Sequence, residues 1–395
     1  MKPARWLNRT VLGIGLASLF CDWAQEAANA VLPAFLAALG ASAAWLGIIE
    51  GVSDGLASLA KMTSGYFTDK LERRKPMAVI GYTVSALGTA AFGLATAAWQ
   101  VLLARSVAWL GRGCRTPVRK ALLAAAVDRS TYGRAFGFER MMDTVGAVAG
   151  PATAFFLLTA FHQRYSWLFA ATLAPGLMAA VVLALLVKET GRKPVGHISL
   201  GAGLRQLPAT YKQLLTAVGL YGAGRFAHTL LILLATRQLT PRFGAARAAS
   251  IAIALYILHN VVQAGFGYFS GWLADRLPKK WLLAAGYLLG AAMAGAIVAG
   301  PARVWSLSII FILGGVAAAL EETVEDAFCA ELVAEERHGL AFGLLATVNG
   351  VGDFLSSTVV GLLWSWASQP VAFGYSAVLS AAGALLVARV SSKPS

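Results

Sequence analysis

The sequence predicts an all-α membrane protein with twelve transmembrane helices arranged as two pseudo-symmetric six-helix bundles. Three observations carry that expectation. Of 395 residues, 58% are hydrophobic and only 13% are charged, against about 25% charged in ordinary soluble domains, and the mean hydropathy is +0.66. Apolar stretches of about 20 residues, the length that crosses a bilayer, recur along the chain. The two halves also match one another at a constant shift of 206 positions. A soluble enzyme or free nucleic-acid binder of this composition would leave large apolar patches in water, which soluble monomers rarely do.

In chain order, spans are expected near residues 10–37, 43–67, 77–97, 98–123, 134–160 and 166–187. Six more follow near 213–237, 247–270, 280–299, 303–328, 338–364 and 370–390. The first has a competing reading. Lys2, Arg5 and Arg9 ahead of an apolar run, with Ala28-Asn29-Ala30 beyond it, imitate a cleavable signal and would leave eleven spans. Asp22 and Glu26 interrupt that run, and the repeat gives the helix a partner in the second half, so it is read as a span. The domains are then a first bundle at 1–187, a cytoplasmic linker at 188–212 and a second bundle at 213–395. The linker is polar, with Lys188, Glu189, Arg192, Lys193, Pro194, His197, Arg205 and Lys212.

The net charge of +14 is distributed unevenly. Lys2, Arg5, Arg9, Lys70, Arg73, Arg74, Lys75, Arg129, Arg134, the linker cluster, Arg276, Lys279, Lys280, Arg337 and Lys393 fall on one presumed side. Only Arg164, Arg237, Arg242, Arg247 and Arg303 fall on the other. Basic residues concentrate in cytoplasmic loops, so both termini are expected in the cytoplasm, in a bacterial inner membrane. Acidic lipid headgroups account for these clusters more simply than nucleic acid does. Cys21, Cys114 and Cys329 lack CxxC spacing and read as packing residues. No cofactor or metal is expected.

The repeat is visible at two places. Gly65 and Asp69 correspond to Gly271 and Asp275, and Gly133-Arg134-Ala135-Phe136-Gly137 corresponds to Gly339-Leu340-Ala341-Phe342-Gly343. Parallel repeats around a midplane site are a secondary-transporter plan. The run Gly65-Tyr66-Phe67-Thr68-Asp69-Lys70-Leu71-Glu72-Arg73-Arg74-Lys75 resembles the turn motif between the second and third helices of the major facilitator superfamily. Glu72 replaces that motif's second glycine, and Pro278 stands there in the second copy. The resemblance extends over essentially the whole chain. It implies that Gly65, Asp69, Arg73, Arg74, Gly271 and Asp275 latch the two halves on the cytoplasmic side. Apart from any family, Asp69 can accept hydrogen bonds from a helix N-terminus, worth about 0.3–1 kcal/mol exposed and up to about 2 partly buried. Plain topology signals are the alternative for Arg73, Arg74 and Lys75.

Ionisable residues inside spans cost about 2.5–3.5 kcal/mol each on insertion scales and are functional candidates by default. Asp22, Glu26 and Asn29 share a face of the first helix, and Asp22 corresponds to His228, close to Arg225. The resemblance places helices one, four, seven and ten around a central cavity, and hence Asp22, Glu26, Arg225 and His228 around one space. Asp22 and Glu26 are candidates for proton coupling; a static pair of either with Arg225 is the alternative. The fourth helix carries Arg105, Arg112, Arg115, Arg119 and Lys120, and its counterpart carries Glu321, Glu322, Glu325 and Asp326. These basic and acidic stripes are expected to meet across the cytoplasmic half of the cavity and close it. The rival is pairing of Arg112 and Arg115 within their own half, with Glu139 and Asp143. The resemblance also gives Arg105 a part in proton transfer, although Trp109 stands where that motif has a glycine. Glu50, Asp54, Asn349 and Asp353 read as packing groups.

In the fifth helix, Gly146-Ala147-Val148-Ala149-Gly150-Pro151 has small residues four apart, which permit close helix approach, and a proline that favours a bend. In the family this stretch is associated with antiporters; Thr153 and Ala154 replace its trailing glycines. The expected function is secondary active transport of a small organic solute by alternating access, as proton-coupled export by a monomer in contact with lipid. Proton-coupled uptake or facilitated diffusion of an anionic or zwitterionic solute is the alternative. A non-transporting receptor or lipid-moving protein is the alternative of another class. No nucleophile–base pairing or phosphate loop points to an enzyme, and Gly111-x-Gly113 lacks the strand–turn–helix setting of a nucleotide site.

Overall fold

The computed structural model describes residues 6–41, 43–160, 164–189, 200–300 and 303–391. Lys2, Arg5, Arg192, Lys193, Pro194, His197 and Lys393 of the charge pattern lie outside them. Within the first half run α1 (Arg9–Ala38), α2 (Ala43–Lys70), α3 (Lys75–Ala90), α4 (Ala98–Ala125), α5 (Tyr132–Ala160) and α6 (Tyr165–Leu186). A short helix, α7 (Leu200–Arg205), precedes α8 (Ala209–Gly224) and α9 (His228–Phe243). Then come α10 (Ala245–Ala274), α11 (Lys279–Val298), α12 (Val304–Leu332), α13 (His338–Trp366) and α14 (Gln369–Ala388). Lipid offers no hydrogen bonds, so a spanning segment has to satisfy its own backbone, which a helix does.

Among the described residues, eight stretches are long and apolar enough to cross a membrane: those in α3, α5, α6 and α10 to α14. Charges interrupt the apolar runs of the first, second and fourth helices, and α8 and α9 are only 16 residues each. Large apolar side chains face outward without cover, among them Leu94 and Trp366 at 84% and 82% exposure. That is the surface of a protein solvated by acyl chains, and the helix order follows the twelve-span plan expected from the repeat.

The seventh span departs from expectation. A continuous helix over 213–237 is replaced by α8 and α9, broken at Arg225–Ala227, where Arg225 and Ala227 take extended backbone angles. Gly222 and Gly224 precede the break, and glycine lowers the cost of leaving the helix. Arg225, at the break, donates to Glu321 of α12 at 2.6 Å. Several helices also outrun the apolar stretches that announced them, α2 to Lys70, α10 to Ala274 and α12 to Leu332. A hydropathy run marks the edge of hydrocarbon, whereas backbone hydrogen bonding continues past it.

By contacts the chain forms two compact units: Met1–Thr131, Phe138–Gln206 and Ala334–Thr347 in the first, Tyr132–Gly137, Leu207–Val333 and Val348–Ser395 in the second. The first turns of α5 and α13 thus each group with the opposite unit from the rest of their helix. In the first unit Phe35 and Phe92 pack on Phe169 at centroid distances of 5.0 and 5.5 Å. In the second, Phe226 packs edge-on against Phe373 at 4.9 Å. Asn8 caps α1 by accepting from the amides of Thr10 and Val11 at 2.9 and 3.0 Å. Glu189 plays the same part for α3, accepting from Arg74 and Lys75 amides at 2.8 Å.

Candidate functional site

In the first unit, charged and polar groups of α1, α4 and α5 converge. Arg119, buried, pairs with Glu139 at 2.7 Å and Asp143 at 3.4 Å and donates to Ser18 Oγ at 2.6 Å. Arg140 holds the other carboxylate oxygen of Asp143 at 2.9 Å. Arg119 therefore occupies the Glu139–Asp143 pair, the place the own-half reading gave to Arg112 and Arg115. One turn away on α4, Arg115 lies 3.8 Å from Asp22 and 3.4 Å from Gln25 Oε1, its guanidinium 4.5 Å from the Tyr82 ring centre. Gln25 in turn donates to Ser85 at 2.7 Å. The Asp22–Arg115 contact is the loosest of these pairs, and both residues are buried.

Further along the same helices, Asn29 bridges Glu26 at 3.2 Å and Arg105 at 3.0 Å. Arg105 lies 4.1 Å over the Trp109 ring and Arg112 lies 5.6 Å from it, while the indole N–H donates to Asp54 at 2.7 Å. Trp109 thus replaces the expected glycine with an aromatic plate between two cations, an arrangement that holds Arg by attraction to the ring face. On α5, Gly146 faces the backbone of Leu19 and Gly150 that of Glu26 and Ala27, so closely that a Cβ at either would collide. The helix runs through Pro151 unbroken.

In the second unit the broken seventh span supplies Arg225. Its guanidinium bonds Glu321 at 2.6 Å and reaches Glu322 at 3.5 Å and Asp353 at 3.7 Å. Glu322 also accepts from Gln263 at 2.7 Å. Glu325, one turn beyond Glu321, accepts from Asn349 at 2.9 Å and from the Tyr287 hydroxyl at 2.5 Å. Every member of the acidic stripe named here has a donor within its own unit. His228 opens α9 and its ring lies 4.7 Å, centre to centre, from that of His259. Arg225, His228, His259 and Glu321 share the wall of a small cavity of about 40 Å³.

The two copies of the turn motif have matching geometry. Asp69, buried, accepts from the amides of Gly339 and Leu340 at 2.9 and 2.7 Å at the start of α13. Asp275 accepts from Gly133 and Arg134 amides at 2.7 and 3.2 Å at the start of α5. Gly65 lies against Gly339 and Gly343, and Gly271 against Gly133 and Gly137, with backbones touching. Arg74 is 1% exposed and 3.9 Å from Asp69; Arg73 is exposed.

Sequence reading missed Ser18, Gln25, Tyr82, Gln263 and Tyr287, which hold or orient the charged groups. Gln25 was legible in principle, since an amide next to Glu26 in an apolar helix is costly unless bonded. Buried Ser and Tyr residues carry no such signal, because they are common in packed cores.

A family model described as Major Facilitator Superfamily matches residues 14–239 and 214–395. An uncharacterised MFS-type transporter of Methanocaldococcus jannaschii is 27% identical over 386 residues, 97% of this chain and 95% of that one. The multidrug resistance protein MdtH of Photorhabdus laumondii is 32% identical over 126 residues, 31% of either chain. Among solved structures, the E. coli fucose:proton symporter is similar at a TM-score of 0.76 and 18% identity, over 97% of this chain and 99% of its own.

Proposed function

The chain belongs to the major facilitator superfamily, and from that premise we propose that it exports a small organic solute in exchange for protons by alternating access. Family membership points to an integral membrane transporter rather than an enzyme; direction and coupling are the proposal. The observation that carries coupling is the loose pair of Asp22 and Arg115, buried and 3.8 Å apart. Arg115 keeps two further neutral contacts, with Gln25 and the Tyr82 face. Protonating Asp22 therefore leaves the buried cation partly satisfied, whereas stripping a tight buried pair leaves one charge bare at about 3–5 kcal/mol. A carboxylate in that setting can exchange a proton as the cavity changes its access to water.

Export is supported by Gly146, Gly150 and Pro151, which bring α5 against α1, and by the local match to a multidrug resistance protein. Asp22, Glu26 and Arg105 are assigned to coupling. Asn29, Arg112, Arg115, Arg225, His228, Glu321 and Glu325 are assigned to the substrate path, and the two aspartate turns with Arg119 and Asp143 to gating. We place both termini in the cytoplasm of a bacterial inner membrane, acting as a monomer, with the first bundle at 1–187 and the second at 213–395.

The test is a proteoliposome assay with an imposed pH gradient and a panel of organic solutes. Gradient-driven counterflow that disappears in Asp22→Asn supports the reading. Flux in the same direction as protons makes the protein a symporter, and flux indifferent to the gradient makes it a uniporter.

A further inference from the structure

A groove on the first unit lies between α1, α5 and α6, with a volume of about 270 Å³. Bulky and small side chains share its wall. Phe20 and Trp23 of α1 stack at a centroid distance of 6.3 Å, while Ala27, Ala171 and Ala174 leave space beside Leu157 and Met178. The polar side chains of the wall are already engaged. The Trp23 indole N–H donates to Thr153 Oγ1 at 2.9 Å, and that hydroxyl donates to the Ala149 carbonyl at 2.8 Å. Thr172 donates to the Phe169 carbonyl at 2.7 Å. None of these three groups needs a partner from outside, so a ligand with polar groups would lose its hydration here and gain no hydrogen bond from them. An apolar cavity of about 150 Å³ stays dry and binds benzene, and this one is larger.

Depth narrows the choice of occupant. On α1, a helix of 30 residues, Phe20 and Ala27 each lie about 5 Å along the axis from the midpoint, at about 1.5 Å per residue. Ala171 and Met178 straddle the midpoint of α6 in the same way. Hydrocarbon fills about 30 Å of a bilayer, so the middle of a spanning helix meets acyl chain rather than headgroup. Tryptophan is usually drawn to the headgroup level; Trp23 stands mid-helix with its N–H bonded inside the protein. Met178 is exposed, as are Val181 and Leu185 on α6 and Phe155 and Phe156 on α5. The groove thus opens on a face that hydrocarbon covers.

We propose that this groove seats the distal part of one acyl chain of a membrane phospholipid, held against Trp23. Acyl chains are the medium at that depth, so even a weak site is filled by mass action. A methylene chain lying between three helices also restores the dispersion contacts that a void forfeits. The proposal uses the membrane setting that family membership gives and is independent of the direction and coupling of transport.

The test is photolabelling of the full-length protein in vesicles of phosphatidylethanolamine and phosphatidylglycerol, doped with a phospholipid that carries a diazirine in the distal half of one acyl chain. Adducts on residues 20–27 and 171–178 are expected to exceed at least fivefold those on Ile80, Leu87 and Val378, which are exposed apolar positions outside the groove. Equal labelling of the two sets means contact with bulk lipid only and overturns the proposal. Ala171→Phe and Ala174→Phe fill the groove from α6 and are expected to cut its adducts at least fivefold, with labelling of Ile80 and Val378 unchanged. Melting curves verify folding, and Ala174, the more exposed of the two, keeps the test available if Ala171→Phe does not fold. Undiminished adducts in a folded variant overturn the proposal. A diazirine placed beside the headgroup is expected to label the groove no more than the reference positions, and stronger labelling overturns the assigned depth. Cross-linked dimers in place of lipid adducts would assign the groove to a second copy of the chain. Loss of adducts to p-xylene added far below the lipid concentration would assign it to a small apolar solute, and either result overturns the acyl chain.

Discussion

Asp69 and Asp275 stand 206 residues apart and bond the same backbone groups, yet they find their cations in different places. Asp69 has Arg74 of its own turn, fully buried and 3.9 Å away, and that arginine also donates to the carbonyls of Ala121 and Glu335 at 3.4 and 3.5 Å. Asp275 is bonded at 2.7 Å by Arg134, which sits on the receiving helix and keeps 31% of its side chain exposed. The position matching Arg134 is Leu340, and the one matching Arg74 is Lys280. Duplication thus preserved what the backbone requires, a glycine for close approach and an aspartate for two amides, and let the counter-charge move. Backbone geometry has one solution, whereas a carboxylate accepts a guanidinium from several directions.

The comparison can be broken at its strongest point first. Gly65→Val and Gly271→Val are both expected to destabilise the detergent-solubilised protein by about 3 kcal/mol, because the facing backbone atoms cannot yield. Tolerance of valine in either copy, read from thermal unfolding, would show that close approach is not what that turn depends on. Asp69→Ala is expected to cost about 2–3 kcal/mol, since it strands two buried amides and the buried Arg74. Asp275→Ala is expected to cost about 1 kcal/mol less, because the half-exposed Arg134 can rehydrate. Equal losses would refute the asymmetry.

Arg134→Leu installs the other copy's residue and is expected to cost at most about 1 kcal/mol, in the range of a partly exposed pair. The smallest effect is expected at Glu189; α11, after the second turn, starts with no side-chain cap among the described residues. Glu189→Gln is expected to cost about 0.5–1 kcal/mol through the weakened cap of α3. Burial raises the Glu189 carboxyl above its ordinary range, more than the amide and charge of Lys75 lower it. The folded state therefore holds this proton more tightly than the unfolded chain, and its contribution falls as pH rises above about 4.3. The Gln variant is expected to lose that slope in unfolding curves taken across the acidic range.

A similar divergence separates α4 from α12. The basic stripe settles on carboxylates of α1 and α5, with Arg119 held by Glu139 and Asp143. The acidic stripe settles on Arg225 and on uncharged donors, Tyr287 and Asn349. Charge reversal between copies was plain in the sequence at Arg115–Glu321 and Arg119–Glu325. Which groups answer each charge was not, because partners lie on other helices at separations no local pattern encodes. Tyr287 is the sharpest instance, since a tyrosine in an apolar helix gives no sign that its hydroxyl donates to Glu325.

Composition, span spacing and the constant offset determined the fold, because a bilayer admits few backbone arrangements and duplication writes the same one twice. The aspartate turns were equally legible, being local in sequence. The break at Arg225–Ala227, the seat of Arg119 and the donors of Glu325 were decided only by tertiary structure. Each depends on which side chain from a distant helix fills the space beside it, and periodicity along one helix carries no record of that neighbour.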